Sequence, residues 1–351
     1  MAAPLRSILF LGQDLQSPSF RHRIESLYPK LQELGFIVRS EQLPRGRYGI
    51  RTFERRALFA AVNMVLLAQF KLSGPEAWLL RRFVPRLIFD VDDAIYVRQP
   101  RRPGDPPHDS YWRRRKFAAT CRLADCVVAG NDVLAGVARA SAREVAVLPT
   151  PVDASRYGAA QTDPSRPPTI VWIGRPENLV YLELLHPALA RLSKTFANLR
   201  LRVVCSRFPQ WHDVAIEAVT WSADTEVAAL QSADIGIMPL SRDEWTEGKC
   251  AFKLLQYMAA SLPCVASPVG ANVGAVLDGA TGFLADSDTE WESSLSRLIR
   301  APELRRSFGA AGRRHLQAHY SIDGYVERYA ALLTRISEST PATHREPRPS
   351  H

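Results

Sequence analysis

At 351 residues the chain is long enough for two domains, and its make-up, 46% hydrophobic and 23% charged, excludes a disordered protein. The net charge of +9 is uneven: residues 1–168 hold 26 Lys and Arg against 16 Asp and Glu, and residues 169–351 hold 19 against 20. No zinc-finger spacing, RRM-type aromatic motif or basic-region helix accompanies the basic half, so an anionic substrate or membrane surface fits it better than nucleic acid.

The opening MAAPLRSILFLGQ lacks a cleavage signature and reads as a first strand rather than a signal peptide. SFRHRIESLYPKLQELGF reads as a helix, with Ile24, Leu27, Leu31 and Leu34 at helical spacing and Gly35 as its stop. IVRSEQL is a strand, a helix is expected around Phe53–Val62, and MVLLAQ is the next strand. The longest apolar run, Ala57 to Phe70, is 14 residues and falls short of the ~20 that a membrane span needs. A helix near Pro75–Phe83 leads into the strand RLIFDVD, followed by a Pro-, Arg- and Gly-rich loop, Gln99–Asp109. A basic helix (Tyr111–Leu123), DCVVAG, a helix (Asp132–Arg139) and EVAVLPT complete the first half.

Ala154–Pro168 has the composition of a linker, after which the alternation restarts. TIVWIG, a helix through Tyr181–Leu192, LRLRVVCS, EAVTW, a helix near Asp224–Gln231, DIGIMPL, a helix around Lys249–Ala260 and LPCVASPVG follow in turn. Strands alternating with helices predict parallel sheets covered on both faces. The implied α/β architecture is two Rossmann-like domains facing a central cleft, with ligands at the carboxyl ends of the strands. Cys121, Cys126, Cys205, Cys250 and Cys264 lack zinc spacing and suit a reducing cytosol.

Two segments carry candidate chemistry. RLIFDVDDAIY ends a strand on Asp90, Asp92 and Asp93. A phosphatase nucleophile motif would need Thr or Val where Ala94 stands, and no downstream acidic pair for magnesium is evident. A metal-binding Asp-x-Asp needs both carboxylates on one side, whereas i and i+2 of a strand point to opposite faces. Polar groups at a cleft rim remain. The second segment is EGKCAFKLLQYMAASLPCVASPVGAN, Glu247–Asn272. A Gly-containing turn opens a helix bearing Lys249 and Lys253, and the following strand ends in SPVGAN. Helix amides with two lysines four apart can receive a diphosphate; the alternative is an amphipathic helix with solvated lysines. Trp112 and Trp221 read as core, Trp245 as core or a base-stacking ring, and His22 and His108 have no evident partner.

QYMAASLPCVAS resembles the donor-site signature of glycosyltransferase family 4, bacterial-type group 1 glycosyltransferases of GT-B fold. VLPTPVDASRY, VWIGRPENL, ADIGIMPL, ATGFLADSDTEW and YSIDGYVERYAALL are similar to further ordered motifs of that family, and SFRHRI and FDVDDAIY fit its N-terminal domain. The resemblance implies an acceptor domain (1–153), a linker (154–168), a nucleotide-sugar domain (169–318), a helix crossing back onto the first domain (319–338) and a disordered tail (339–351).

It also implies a retaining sugar transfer without a metal ion or other cofactor, in which cleft closure excludes water. Arg175, Lys249, Lys253, Gln256, Gly270 and Asn272 would hold the donor; Asp93 and Glu247 would serve the reacting sugar; Arg21, Arg23 and Asp92 would meet the acceptor or a phosphate. The family's second acid is here Gln256, Glu247 lies one residue off the usual spacing, and only Arg175 stands for the usual Arg and Lys of the preceding loop. The expected partners are a nucleotide-sugar donor, a saccharide or lipid-linked acceptor and an anionic membrane surface. The expected location is the cytoplasm, at the inner face of the membrane. A nucleotide-sugar epimerase of the same fold and a catalytically silent nucleotide-binding homologue are the alternatives.

Overall fold

The computed structural model describes residues 6–43, 58–59, 61–100, 105, 110–158 and 168–339. Most of the helix expected around Phe53–Val62, of the Gln99–Asp109 loop and of the Ala154–Pro168 linker lies outside these residues, as do His108 and residues 340–351. Contacts divide the chain into two units, one of residues 1–96, 110–148 and 326–351, the other of 97–109 and 149–325.

The first unit is built on six parallel strands: β1 (Arg6–Gly12), β2 (Phe36–Gln42), β3 (Met64–Ala68), β4 (Arg86–Val91), β5 (Cys126–Ala129) and β6 (Val145–Val147). Their spatial order is β2-β1-β3-β4-β5-β6, so the winding reverses between β1 and β3. β3, β4 and β5 are buried along their whole length, which is why they read as continuous apolar runs. The helical stretch after β1 is broken into Pro18–Arg23, a tight turn at Glu25–Leu27 and Tyr28–Glu33, because Pro29 can open a helix but not continue one. Gly35 ends it at φ +80.

An ion pair is buried in the core of this unit. Arg23, fully buried, donates from Nε to Asp90 Oδ1 and from Nη2 to Asp90 Oδ2, both at 2.8 Å, and from Nη1 to the Leu148 carbonyl. Tyr329, on the helix Ile322–Glu338, donates to Asp90 Oδ2 at 2.9 Å, and Arg86 Nε donates to the Ile336 carbonyl of the same helix. The last helix is thus fastened to β4 through a carboxylate buried at the strand end.

The second unit repeats the plan with β7 (Thr169–Ile173), β8 (Arg200–Cys205), β9 (Ile216–Thr220), β10 (Ile235–Met238), β11 (Cys264–Ala266) and β12 (Gly282–Leu284). All are parallel, in the order β12-β11-β10-β7-β8-β9, and the winding reverses between β7 and β10. One core gathers Leu254, Leu255, Met258, Leu230 and Leu316; the other gathers Trp172, Leu189, Leu192, Leu295 and Leu298. The expected helix at Tyr181–Leu192 is three pieces, Leu179–Leu182, a turn at Glu183–Leu185 and His186–Thr195, the last opening on Pro187.

Candidate functional site

In an open parallel sheet the loops on either side of the reversal splay apart and leave a crevice at the strands' carboxyl ends. In the second unit those loops begin at Gly174, after β7, and at Pro239, after β10. The β10 loop forms a single helical turn, Glu244–Glu247, capped by Asp243, and then enters the helix Phe252–Ala259. This helix starts at Phe252, so Lys249 precedes it and the two lysines do not share a helix face. The residue between them is the unusual one: Ala251 adopts φ +55, ψ 19, the left-handed conformation that L side chains disfavour. Gly248 has ordinary right-handed angles that any residue can adopt. The helix has neither a side-chain cap nor an acid in its first turn.

Aromatic rings hold the lysines there. Lys249 Nζ lies 5.4 Å from the Trp245 ring centroid and 5.9 Å from that of Tyr181. Lys253 Nζ lies 5.5 Å from the Trp172 ring, at the end of β7. A Cβ on Gly174 would stand 2.6 Å from the Trp172 ring and 3.1 Å from Lys253 Cε, so glycine there makes room for both. Cation–π contacts of about 0.5–1 kcal/mol each orient ammonium groups without neutralising them. Arg175, which follows Gly174, is mostly exposed and pairs with Glu177 at 3.4 Å.

Glu247 and Gly270 are brought together. Glu247 Oε2 accepts the Gly270 N–H at 2.8 Å, and Gly270 sits at φ +53 with its Cα so close that a Cβ would meet the Glu247 carbonyl at 2.4 Å. The carboxylate thereby ties the β10 loop to the β11 loop. A cavity of about 460 Å³ at this edge is lined by Ser241, Arg242, Ser267 and Asp286 and includes neither lysine.

Several expected ligands are engaged elsewhere. Gln256 is buried, and its Nε2 donates to Glu226 Oε1 at 2.8 Å. Glu226 also accepts from Tyr157 Oη at 2.8 Å and from Trp221 Nε1 at 2.8 Å, so an acid 30 residues away in sequence stands behind the amide. Gln256 is therefore a structural partner of Glu226 rather than a donor ligand, and Trp221 is 42% exposed with only its indole N–H buried in that network, not a core residue. Asn272 is enclosed as well; Nδ2 donates to the Ser267 carbonyl at 3.0 Å, and Oδ1 is buried without a hydrogen-bond partner among the described residues. Trp112, also read as core, is 70% exposed.

In the first unit, Arg23 is the buried partner of Asp90 and is unavailable to a phosphate. Arg21 lies half-buried on Pro18–Arg23. Asp93 caps its own turn, accepting the Ala94 N–H at 3.2 Å. Asp92 is different. Gln69 Nε2 donates to Ser19 Oγ at 3.0 Å, and Ser19 Oγ donates to Asp92 Oδ2 at 2.6 Å. This chain spans the ends of β3 and β4 and the helix after β1, at the reversal of the first sheet, and Gln69 holds the strained φ of +56. Burial pushes the Asp92 carboxyl up to about 6; Arg23 opposes the rise, while Asp90 and Asp93 add to it. Among the described residues no group of three His, Cys, Asp or Glu side chains could hold a metal, and no helix is long and apolar enough to cross a membrane.

Residues 167–301 match the family model of group 1 glycosyl transferases. The chain is 31% identical over 85 residues to an alpha-1,3/1,6-mannosyltransferase of Rhizomucor pusillus, 24% of this chain and 19% of that one. It is 25% identical over 300 residues to the D-inositol 3-phosphate glycosyltransferase of Segniliparus rotundus, 76% of this chain and 66% of that one. It therefore spans less than two thirds of either relative. Among solved structures, sucrose-phosphate synthase from Thermosynechococcus elongatus superposes with a TM-score of 0.75 at 15% identity, over 94% of this chain and 99% of that one. Anabaena HepE in complex with UDP-glucose gives 0.70 at 14%, over 94% and 99%. The fold is GT-B, and the resemblance to group 1 glycosyltransferases carried by the motifs is shown.

Proposed function

We propose that this GT-B chain, with a group 1 match across its second sheet, transfers a sugar from a nucleotide-activated donor to a saccharide or lipid-linked acceptor. The observation that carries the reading is the pair Lys249 and Lys253, held by Trp245, Tyr181 and Trp172 around the left-handed turn at Ala251 and the uncapped start of Phe252–Ala259. A diphosphate lodged there receives two ammonium groups and the positive end of a helix. The mannosyl- and inositol-phosphate glycosyltransferase relatives and the UDP-glucose complex of HepE support a nucleotide-sugar as the donor.

In the transfer, a bond forms between the acceptor oxygen and the anomeric carbon. The bond from that carbon to the diphosphate breaks, and its electron pair leaves with the nucleoside diphosphate. Lys249 and Lys253 stabilise the charge that gathers on the departing oxygen, and such preorganised electrostatics are commonly the largest catalytic contribution. Glu247, bound to the Gly270 amide, fixes the loop that carries the lysines. We assign the reaction retention of configuration and independence from a bound metal; NMR of the product anomer and turnover in EDTA test these two points. The excess of basic residues in the first half supports a position at the inner face of the membrane, which flotation with anionic vesicles tests.

The principal experiment is calorimetric titration of wild type and Lys253→Met with uridine diphosphate and a panel of other nucleoside diphosphates. Loss of one charge-assisted contact, about 1.5–3 kcal/mol, weakens binding roughly 10- to 150-fold with the melting temperature unchanged. Equal affinity in the two proteins removes Lys253 from the site. One observation favours a second reading, a nucleotide-binding homologue without turnover: the acid expected at position 256 is an amide committed to Glu226. Nucleotide binding without hydrolysis or transfer of any donor would select it.

A further inference from the structure

We propose that Lys71, Arg113 and Lys116 form a phosphate-binding site at the carboxyl edge of the first sheet, and that the acceptor therefore carries a phosphate or diphosphate group. Only the assignment of that group to the acceptor rests on the glycosyltransferase reading.

Lys71 lies in the loop after β3, and Arg113 and Lys116 lie in the first turns of Tyr111–Leu123, the helix after β4 and its loop. Thr120 fixes their juxtaposition. Its Oγ1 accepts the Leu72 N–H at 2.8 Å and donates to the Leu72 carbonyl at 3.3 Å, binding the loop against the helix. Lys116 and Arg113 stand one and two turns before Thr120 on that side of the helix, so both flank the Lys71 ammonium. Its pKa is pushed down to about 8, first by burial and then by Arg113 and Lys116.

Among the described residues, none of these three cations forms an ion pair or a side-chain hydrogen bond. Elsewhere in the unit, two buried arginines are neutralised by carboxylates: Arg23 by Asp90 and Arg81 by Asp125 at 3.1 Å. The helix adds to the excess, since Tyr111–Leu123 has no acid in its first turn and no side-chain cap. Lys116 is exposed and the other two partly so, which leaves them open to a ligand. Three like charges gathered without a counter-charge repel one another, and a phosphate relieves that repulsion with charge-assisted hydrogen bonds. The place is the carboxyl edge, where ligands of parallel sheets bind, and the polar chain Gln69–Ser19–Asp92 lies at the same edge.

Competitive acetylation of the full chain with trace acetic anhydride, read lysine by lysine by mass spectrometry across pH, tests the site. Lys71 titrates near 8 when free. Inorganic pyrophosphate raises its apparent pKa by about one unit and lowers its labelling at pH 8 several-fold. Arg113→Gln with Lys116→Gln abolishes that protection. Equal labelling of Lys71 with and without pyrophosphate overturns the site, and if uridine diphosphate still shields Lys249 and Lys253 the donor reading survives that result. Shielding of Lys71 by phosphatidylglycerol vesicles but not by pyrophosphate overturns the diphosphate acceptor in favour of a lipid headgroup.

Discussion

Replacing Asp92 by Asn stabilises the first unit at neutral and alkaline pH, and the gain disappears in acid. The carboxyl is raised from 3.8 to about 6 because its burial penalises the ionised form. The folded protein thus holds the proton more tightly than the unfolded chain. Between the two values stability falls as pH rises, and above about 6 the full penalty is present. A displacement of about two units is worth about 3 kcal/mol. Asn mimics the neutral acid and still offers Ser19 Oγ a carbonyl acceptor, so the variant gains up to that amount at pH 8, only a small fraction of it near pH 4 and nothing well below 3.8. Arg23, Asp90 and Asp93 face the group and are present in both proteins. Hydrogen exchange localised to β4 and its loop measures the local opening free energy without assuming two-state unfolding of both units. The reasoning is refuted if Asp92→Asn shows equal or faster exchange than wild type at pH 8, or if the difference is the same at pH 4.5.

Asp90→Asn leaves the guanidinium of Arg23 buried without its counter-charge and costs about 3–5 kcal/mol in urea unfolding of the first unit. Gly270→Ala must move the Glu247 carbonyl and strain a φ of +53; it costs more than about 1 kcal/mol and weakens nucleoside diphosphate binding, both visible by differential scanning fluorimetry with ligand. Gln256→Glu sets a second carboxylate against Glu226. It destabilises the second unit by on the order of 2–4 kcal/mol at pH 8 and less at pH 5, and the exchanged pair Glu226→Gln with Gln256→Glu recovers most of the loss in thermal melts.

The strands were legible because burial on both faces leaves continuous apolar runs that no helix period imitates, as in MVLLA and RLIFDV. Helix limits were less so. Pro29 sits inside a correct 3.6-residue apolar pattern and still breaks it. The start at Phe252 is set by Ala251 in the left-handed region, a conformation that residue type does not announce. Of the candidate donor site, Lys249, Lys253, Glu247 and Gly270 could be picked from one segment because they are close in the chain. The rings that position the lysines, Trp172 and Tyr181, come from the strand and helix across the reversal, where only the fold brings them near. Glu226 carried no sequence signal at all: its partners Tyr157, Trp221 and Gln256 come from three other segments.

The fate of the carboxylates bears on the mechanism of the proposed transfer. Asp90 is neutralised by Arg23, Asp93 closes its own turn, Glu247 holds the Gly270 amide and Glu226 sits behind Gln256. Asp92 accepts the Ser19 hydroxyl, so each of these acids is bound by the chain's own donors. What the second unit presents at its reversal is cationic: two ammonium groups steered by aromatic rings and an uncapped helix start. In the proposed transfer these ammonium groups and the helix start favour the departing diphosphate, with the Glu247 carboxylate held beside them by the Gly270 amide. The transfer proposed here therefore draws its rate from leaving-group stabilisation. Removing both lysines should depress turnover of nucleotide-sugar donors far more than turnover of donors that carry the same sugar on a non-phosphate leaving group such as an aryl oxide, and an equal loss across that series would contradict the assignment.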